Sequence, residues 1–242
     1  METAEFEESS QSIQPEVSTI LLNKEHSAIK TLSQADSKLA SLIELIGDLT
    51  LTPSHKPFES LVMSIISQQL SAKAAATIKA RVKLIIPDVT PELVLAVEEE
   101  AIRQCGVSYP KIRYIRDLST KVISGEVTLN RLQDLDNAEL LKQLTSVKGI
   151  GAWTAEMFLI FTLGRTDVMS IGDAGLQRAA KWLHSLADRK DGNYLGEIAP
   201  NWAPYRSLAS LYLWRAIDMG YVDSGLQVEA CTKPNLEQAT TG

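Results

Sequence analysis

Residues 144–173 read L-T-S-V-K-G-I-G-A-W-T-A-E-M-F-L-I-F-T-L-G-R-T-D-V-M-S-I-G-D, and this stretch decides the fold. A polar turn carrying Gly149 and Gly151 separates two helical patterns. The helix after the turn is apolar almost all round, as in a segment buried on every side. Asp173 stands immediately before the next amphipathic pattern, where Asp is a preferred N-cap. A helix that ends, turns through two glycines and restarts presents free backbone N–H groups. A phosphate can approach them with no Cβ in the way. Taken alone, the turn is explained at least as well as a plain helix–helix connection.

Outward from this stretch the chain keeps a helical period. A helix is expected from Asn137 to Leu144, with an Asn or Asp cap. Before it lies G-V-S-Y-P-K-I-R-Y-I-R-D-L-S-T-K-V (106–122), with apolar Ile112, Ile115, Leu118 and Val122 at helical spacing. Its basic residues, Lys111, Arg113, Arg116 and Lys121, fall mostly on the other face. Further upstream is P-F-E-S-L-V-M-S-I-I-S-Q-Q-L-S-A-K-A-A-A-T-I (57–78). Pro57 suits a helix start, and Phe58, Leu61, Val62, Ile65 and Ile66 form one stripe. The stripe's next position is Gln69, inside a polar break from Ser67 to Ser71 that precedes an Ala-rich helix. Leu39, Leu42, Ile43 and Ile46 give an earlier helix that stops at Gly47. Leu176, Ala179, Ala180 and Leu183, then Leu208, Leu211, Tyr212 and Arg215, give two later ones. No strand alternation, hairpin signal or internal repeat is visible. The class is all-α, with flexible tails expected at 1–21 and 221–242 and a charged loop at 189–193.

A chain of 242 residues makes one large domain or two small lobes sharing a cleft. The net charge of −6 argues against a nucleic-acid partner, because phosphate contacts come from Lys and Arg. Five of the acids, Glu2, Glu5, Glu7, Glu8 and Glu16, lie in the N-terminal stretch, so the total says little about the local field. Two Cys are too few for a disulfide framework, and His26, His55 and His184 have no metal-ligand spacing. No apolar run approaches the ~20 residues that span a bilayer. The N-terminus lacks the basic and apolar regions of a secretory signal. The expected setting is intracellular, in cytoplasm and nucleoid or in a nucleus, without membrane contact.

Four blocks, in order and spacing, resemble the helix-hairpin-helix DNA glycosylase superfamily, in its 3-methyladenine-DNA glycosylase II branch. They are P-F-E-S-L-V-M-S-I-I-S-Q-Q-L-S, G-V-S-Y-P-K-I-R-Y-I, V-K-G-I-G-A-W-T-A-E-M, and I-G-D-A-G-L-Q-R followed by W-A-P-Y-R-S-L-A-S-L-Y-L-W-R. The resemblance runs from about Asp36 to Met219. It implies two helical lobes, residues 22–56 with 167–220 and residues 57–166, with a cleft between them. It places the catalytic carboxylate at Asp173, compatibly with a cap, to stabilise positive charge at the deoxyribose as the base leaves. It places Trp153, Met157 and Tyr205 at the base pocket, where an electron-rich ring favours a cationic alkylated purine. Core packing is the other reading of Trp153. Members that also cut the strand carry a Lys at the place of Trp153, and an indole cannot form a Schiff base. The implied activity is therefore monofunctional excision of 3-methyladenine and 7-methylguanine class bases, leaving an abasic site in base excision repair.

The resemblance further implies that the Gln69–Leu70–Ser71 segment fills the gap left by an extruded nucleotide, without saying which residue does so. It implies backbone grip by Lys148, Gly149 and Gly151, with Lys111 and Arg113 as basic candidates near DNA. No cofactor is required by it. A Na+ or K+ ion at the hairpin would be bound by the carbonyls of Thr145, Val147 and Ile150. The expected partner is damaged double-stranded DNA, bound by a monomer. Where relatives often carry Pro and a second Asp before the catalytic one, this chain has Ser170, Ile171 and Gly172. The sequence lacks the four-Cys iron–sulfur motif of some members, and their N-terminal β-domain is not expected, residues 1–35 being short and without a strand pattern. A non-catalytic hairpin DNA-binding protein and a bifunctional glycosylase/lyase are the competing readings.

Overall fold

A computed structural model describes residues 19–186 and 193–230. The expected tails, in residues 1–18 and 231–242, and most of the charged loop at 189–193 lie outside the described residues. The described chain is helical, built on local signals. α1 (Ser27–Ala35) and α2 (Ser37–Ile46) meet at Asp36, whose carboxylate caps α2. α3 (Pro57–Ser67) starts at its proline, and α4 (Ala72–Ile85) is capped by Ser71. α5 (Pro91–Ala96), α6 (Glu99–Gln104) and α7 (Tyr109–Ile123) follow. α8 (Asn137–Thr145), capped by Asp136, leads through the glycine turn to α9 (Ala152–Met157). α9 widens into a π-helical turn over Phe158–Thr162, with Leu163 N–H bonding Phe158 C=O. α10 (Ala174–Leu183), α11 (Tyr194–Ile198) and α12 (Arg206–Asp218) complete the set.

The buried side chains divide into two clusters. One gathers Leu22, Leu32, Leu39, Leu42, Leu176, Leu183, Trp202 and Tyr212, from both ends of the described chain. The other gathers Leu61, Ile65, Ile112, Leu118, Leu144 and Leu159 from its middle. Each such side chain contributes on the order of 1.5–3 kcal/mol by leaving water. Leu211 and Trp214 of α12 pack against both clusters. Where the chain crosses between them, Arg206 clasps Asp167 with hydrogen bonds of 2.6 and 2.9 Å, and Ser207 N–H bonds Thr166 C=O.

Two expectations need correcting. Ile20–Leu22 (β1) pairs antiparallel with Leu49–Leu51 (β2), Ile20 opposite Leu51. Three residues are too few to show an alternating pattern, and the pairing joins segments a two-helix span apart. So Ile20 and Leu21 belong to a strand and not to a tail. At the other end, Tyr221, Val222 and Val228 are buried in the first cluster, and the Trp182 indole N–H bonds Leu226 C=O at 2.8 Å. Residues 221–229 pack as a strap that runs into a short 3-10 turn at Val228–Ala230, and its apolar residues have no period to betray them.

Candidate active site and nucleic-acid interface

Asp173 is the N-cap of α10, its Oδ1 accepting from Leu176 N–H at 2.8 Å. Its Oδ2 accepts from the Trp153 indole N–H, also at 2.8 Å. Each oxygen thus holds one donor and keeps lone-pair capacity for another. Trp153 is 53% exposed, which removes core packing as its explanation. An open aromatic face is thereby fixed against a carboxylate that remains part-exposed. A flat cationic ring could stack on the first while the second faces positive charge. Met157 lies one turn beyond Trp153, half-buried against the second cluster. Tyr205 precedes α12 and packs against the first cluster. Neither is hydrogen-bonded to the carboxylate.

The glycine turn is anchored by its apolar members. Val147 and Ile150 are buried, while Lys148, Gly149 and Gly151 are exposed. Lys148 N–H donates to Asp117 Oδ2 of α7 at 2.9 Å. Gly149 has φ +82°, and a Cβ there would lie 2.1 Å from the Tyr114 ring. Gly151 has φ −87°, and a Cβ there would meet nothing within 4 Å. Of the carbonyls that the resemblance implies for a cation, those of Thr145 and Val147 have acceptor capacity to spare. Thr145 ends α8, where carbonyls lack intrahelical donors, and Val147 C=O accepts once, from Ile150 N–H. Neutral carbonyl oxygens on a rigid turn replace the hydration of a monovalent cation.

The polar break lies directly beside this turn. The Gln68 side-chain amide donates to Gly149 C=O at 2.8 Å, tying the two loops together. Gln69 adopts φ +57°, the left-handed region that costs a non-glycine residue of order 1 kcal/mol. Lys111 holds the strained corner, its ammonium donating to Ile66 C=O at 2.8 Å and Gln68 C=O at 2.6 Å. Burial lowers the pKa of this ammonium. Lys111, expected near DNA as a basic candidate, is thus bound to the end of α3, whereas Arg113 is exposed. Gln69, Leu70 and Ser71 are all exposed, but the Ser71 hydroxyl is engaged in capping α4.

Three residues of this region were not anticipated. Gln68 sits in the polar break just before Gln69, and its link to residue 149 spans 81 positions. Trp214 lies between the clusters, its ring 5.5 Å from that of the exposed Phe161. Glu156 accepts from the Ser170 hydroxyl at 2.5 Å. Burial raises its pKa, Asp173's charge adds to the rise, and the Ser170 hydrogen bond opposes it. Its i, i+3 relation to Trp153 was the available signal, since it puts both side chains on one side of α9.

Among the described residues no group of three or more His, Cys, Asp and Glu could hold a metal ion, and no helix is long and apolar enough to cross a membrane. Residues 62–204 match the model of the HhH-GPD superfamily base excision DNA repair proteins. DNA-3-methyladenine glycosylase 1 of Schizosaccharomyces pombe is 36% identical over 191 residues, covering 76% of this chain and 84% of the relative. The crystal structure of a DNA-3-methyladenine glycosidase from Bacillus halodurans superimposes with TM-score 0.80 at 41% identity, over 87% of this chain and 97% of that one. The S. pombe 3-methyladenine DNA glycosylase in complex with abasic DNA gives TM-score 0.69 at 32% identity, over 80% of this chain and 97% of that one. The chain belongs to the HhH-GPD superfamily of base excision DNA repair proteins, in its 3-methyladenine glycosylase branch.

Proposed function

We propose that this protein is a monofunctional DNA glycosylase that excises alkylated bases of the 3-methyladenine and 7-methylguanine class from duplex DNA. The observation that carries the reading is the Trp153–Asp173 contact, an open aromatic face bound to a carboxylate beside the hairpin. The N–H groups of Gly149 and Gly151, with the Lys148 side chain beside them, grip a strand phosphate, while the Lys148 N–H stays on Asp117. The carbonyls of Thr145, Val147 and Ile150 would hold a Na+ or K+ ion, which when bound supplies positive charge towards that phosphate. Gln69, Leu70 and Ser71 enter the duplex and fill the space of the extruded nucleotide, offsetting a few kcal/mol of unstacking.

The extruded base stacks on Trp153, between walls to which Met157 and Tyr205 contribute. An alkylated purine of this class already carries positive charge. The N-glycosidic pair can therefore leave with the base without a general acid, and the base departs neutral. Positive charge moves to the sugar, where the Asp173 carboxylate stabilises it. Water then adds at C1′, its proton passing to Asp173 or solvent, and an abasic site remains. Trp153 offers no amine, so no Schiff base forms and the strand is not cut. The protein acts as a monomer inside the compartment that holds the cell's DNA, and DNA is its partner.

The test is base release from methylated duplex DNA. Asp173→Asn keeps the cap and removes the charge, so release should fall roughly 100-fold or more while DNA binding persists. An intact protein that releases no methylated base, or a variant as fast as it, overturns the reading. Borohydride trapping should give no covalent adduct, and an adduct would restore the glycosylase/lyase alternative.

A further inference from the structure

Two hydrogen bonds join α9 to the turn that precedes α10. Trp153 donates to Asp173, and one helical turn further on Glu156 accepts from Ser170, three residues before Asp173. The pairs run in opposite order along the two segments, like successive rungs. The turn between the rungs is otherwise held by bonds within its own segment and to α10, among them Ile171 N–H to Met169 C=O at 3.1 Å. Ile171 and Gly172 are exposed, and a Cβ on Gly172 would meet nothing within 4 Å. Glycine also gives that turn the largest conformational entropy to lose. Within it, Asp173 N–H bonds Ser170 C=O at 3.1 Å, and the Gln177 amide bonds Ile171 C=O at 3.0 Å. Both of these bonds stay on the α10 side. Ser170 is fully buried, and Glu156 is the half-buried group on α9 that holds its hydroxyl.

We propose that Glu156 is a positioning residue, which by holding Ser170 keeps the 170–172 turn, and so Asp173, in register with Trp153. The inference rests on the reading of Asp173 as the catalytic carboxylate. It explains how this chain orders a turn in which Ser170, Ile171 and Gly172 stand in place of a proline-containing segment. It also makes the carboxylate's place depend on a side chain 17 residues away that does not touch the base.

The experiment is single-turnover base release from methylated DNA, with affinity for DNA bearing an abasic-site analogue measured alongside. Glu156→Ala and Ser170→Ala should each slow release roughly 10- to 100-fold, as displacements near 1 Å do, with affinity unchanged. The double variant should be no slower than the slower single one, because both remove the same link. Glu156→Gln keeps an acceptor for the Ser170 hydroxyl and should recover most of the rate. Should Glu156→Ala fail to fold, Ser170→Ala and Glu156→Gln carry the test. The proposal is overturned by single variants as fast as the intact protein, by losses that multiply in the double variant, by a Glu156→Gln rate as low as that of Glu156→Ala, or by an equal loss of affinity. Base release by the intact protein and its loss in Asp173→Asn separate a failure here from a failure of the glycosylase reading.

Discussion

Asp36 and Asp173 are built from the same parts. Each is an N-cap, Asp36 of α2 and Asp173 of α10, and each accepts from a Trp indole N–H, at 2.9 Å from Trp202 and 2.8 Å from Trp153. Their surroundings differ. Asp36 is buried, Trp202 is fully buried, and His184 Nε2 supplies a third partner at 3.0 Å. Asp173 lies at a part-open surface beneath a Trp that is half in solvent. An Asp with its lone pairs occupied from several sides holds segments together. One with a vacant lone pair and an open ring beside it can meet a ligand. The chemistry proposed for Asp173 therefore rests on what the fold leaves unpaired. His184 is the C-cap of α10, so a single helix carries the open carboxylate at one end and the closed one's partner at the other.

The largest effect should come from the closed site. Asp36→Ala strands the donors of His184 and Trp202 and removes a helix cap, which should cost roughly 3–5 kcal/mol in urea unfolding. Base release per folded molecule should be unchanged. A slow but fully stable variant would dissolve the distinction between the two carboxylates. Next come the two tryptophans. Trp153→Phe keeps a stacking face but loses the N–H to Asp173, and should slow base release about 10-fold with little change in stability. Trp202→Phe should do the reverse, lowering stability and sparing the rate. Equal effects in both assays for both variants would contradict the comparison.

The smallest effect is in the pH dependence of stability. Burial pushes the Asp36 carboxyl up, but His184, Trp202 and the α2 backbone hold its pKa down to about 2. Its contribution is present above the unfolded value of 3.8 and is lost as pH falls towards about 2. For His184, burial opposes the proton, but Asp36 raises the pKa above 6.5. That contribution is complete below 6.5 and is lost as pH rises through the raised folded value. The stability gap between the intact protein and His184→Asn should therefore be widest between 3.8 and 6.5 and should narrow in alkali. A gap as wide in alkali as it is between 3.8 and 6.5 would show that the imidazole acts only by its shape.

What could be read from the chain followed from the range of each signal. Asp173 and the Gly149–Gly151 turn announce themselves within a few residues, by capping and by helix interruption. The helical period revealed most elements, because each buries a stripe long enough to count. Asp36 meets partners 148 and 166 positions away, and no local pattern encodes such a meeting. β1 and β2 are too short for a period, and their pairing is settled by the cluster that buries Leu22 and Leu51. Lys111 is a basic candidate near DNA because its charge is visible in sequence, while the carbonyls it bonds are not. Glu156 meets Ser170 14 positions away, a pairing that no local pattern encodes.

The two glycines of the hairpin answer to different masters. At 149 the Tyr114 ring occupies the space a side chain would need, so a population selected for folding alone would retain glycine there. At 151 the fold sets no such demand, and the same population would let the position drift. Selection for survival under alkylating agents should keep both. The difference between the two surviving libraries at position 151 would report what approaches that backbone from outside the fold.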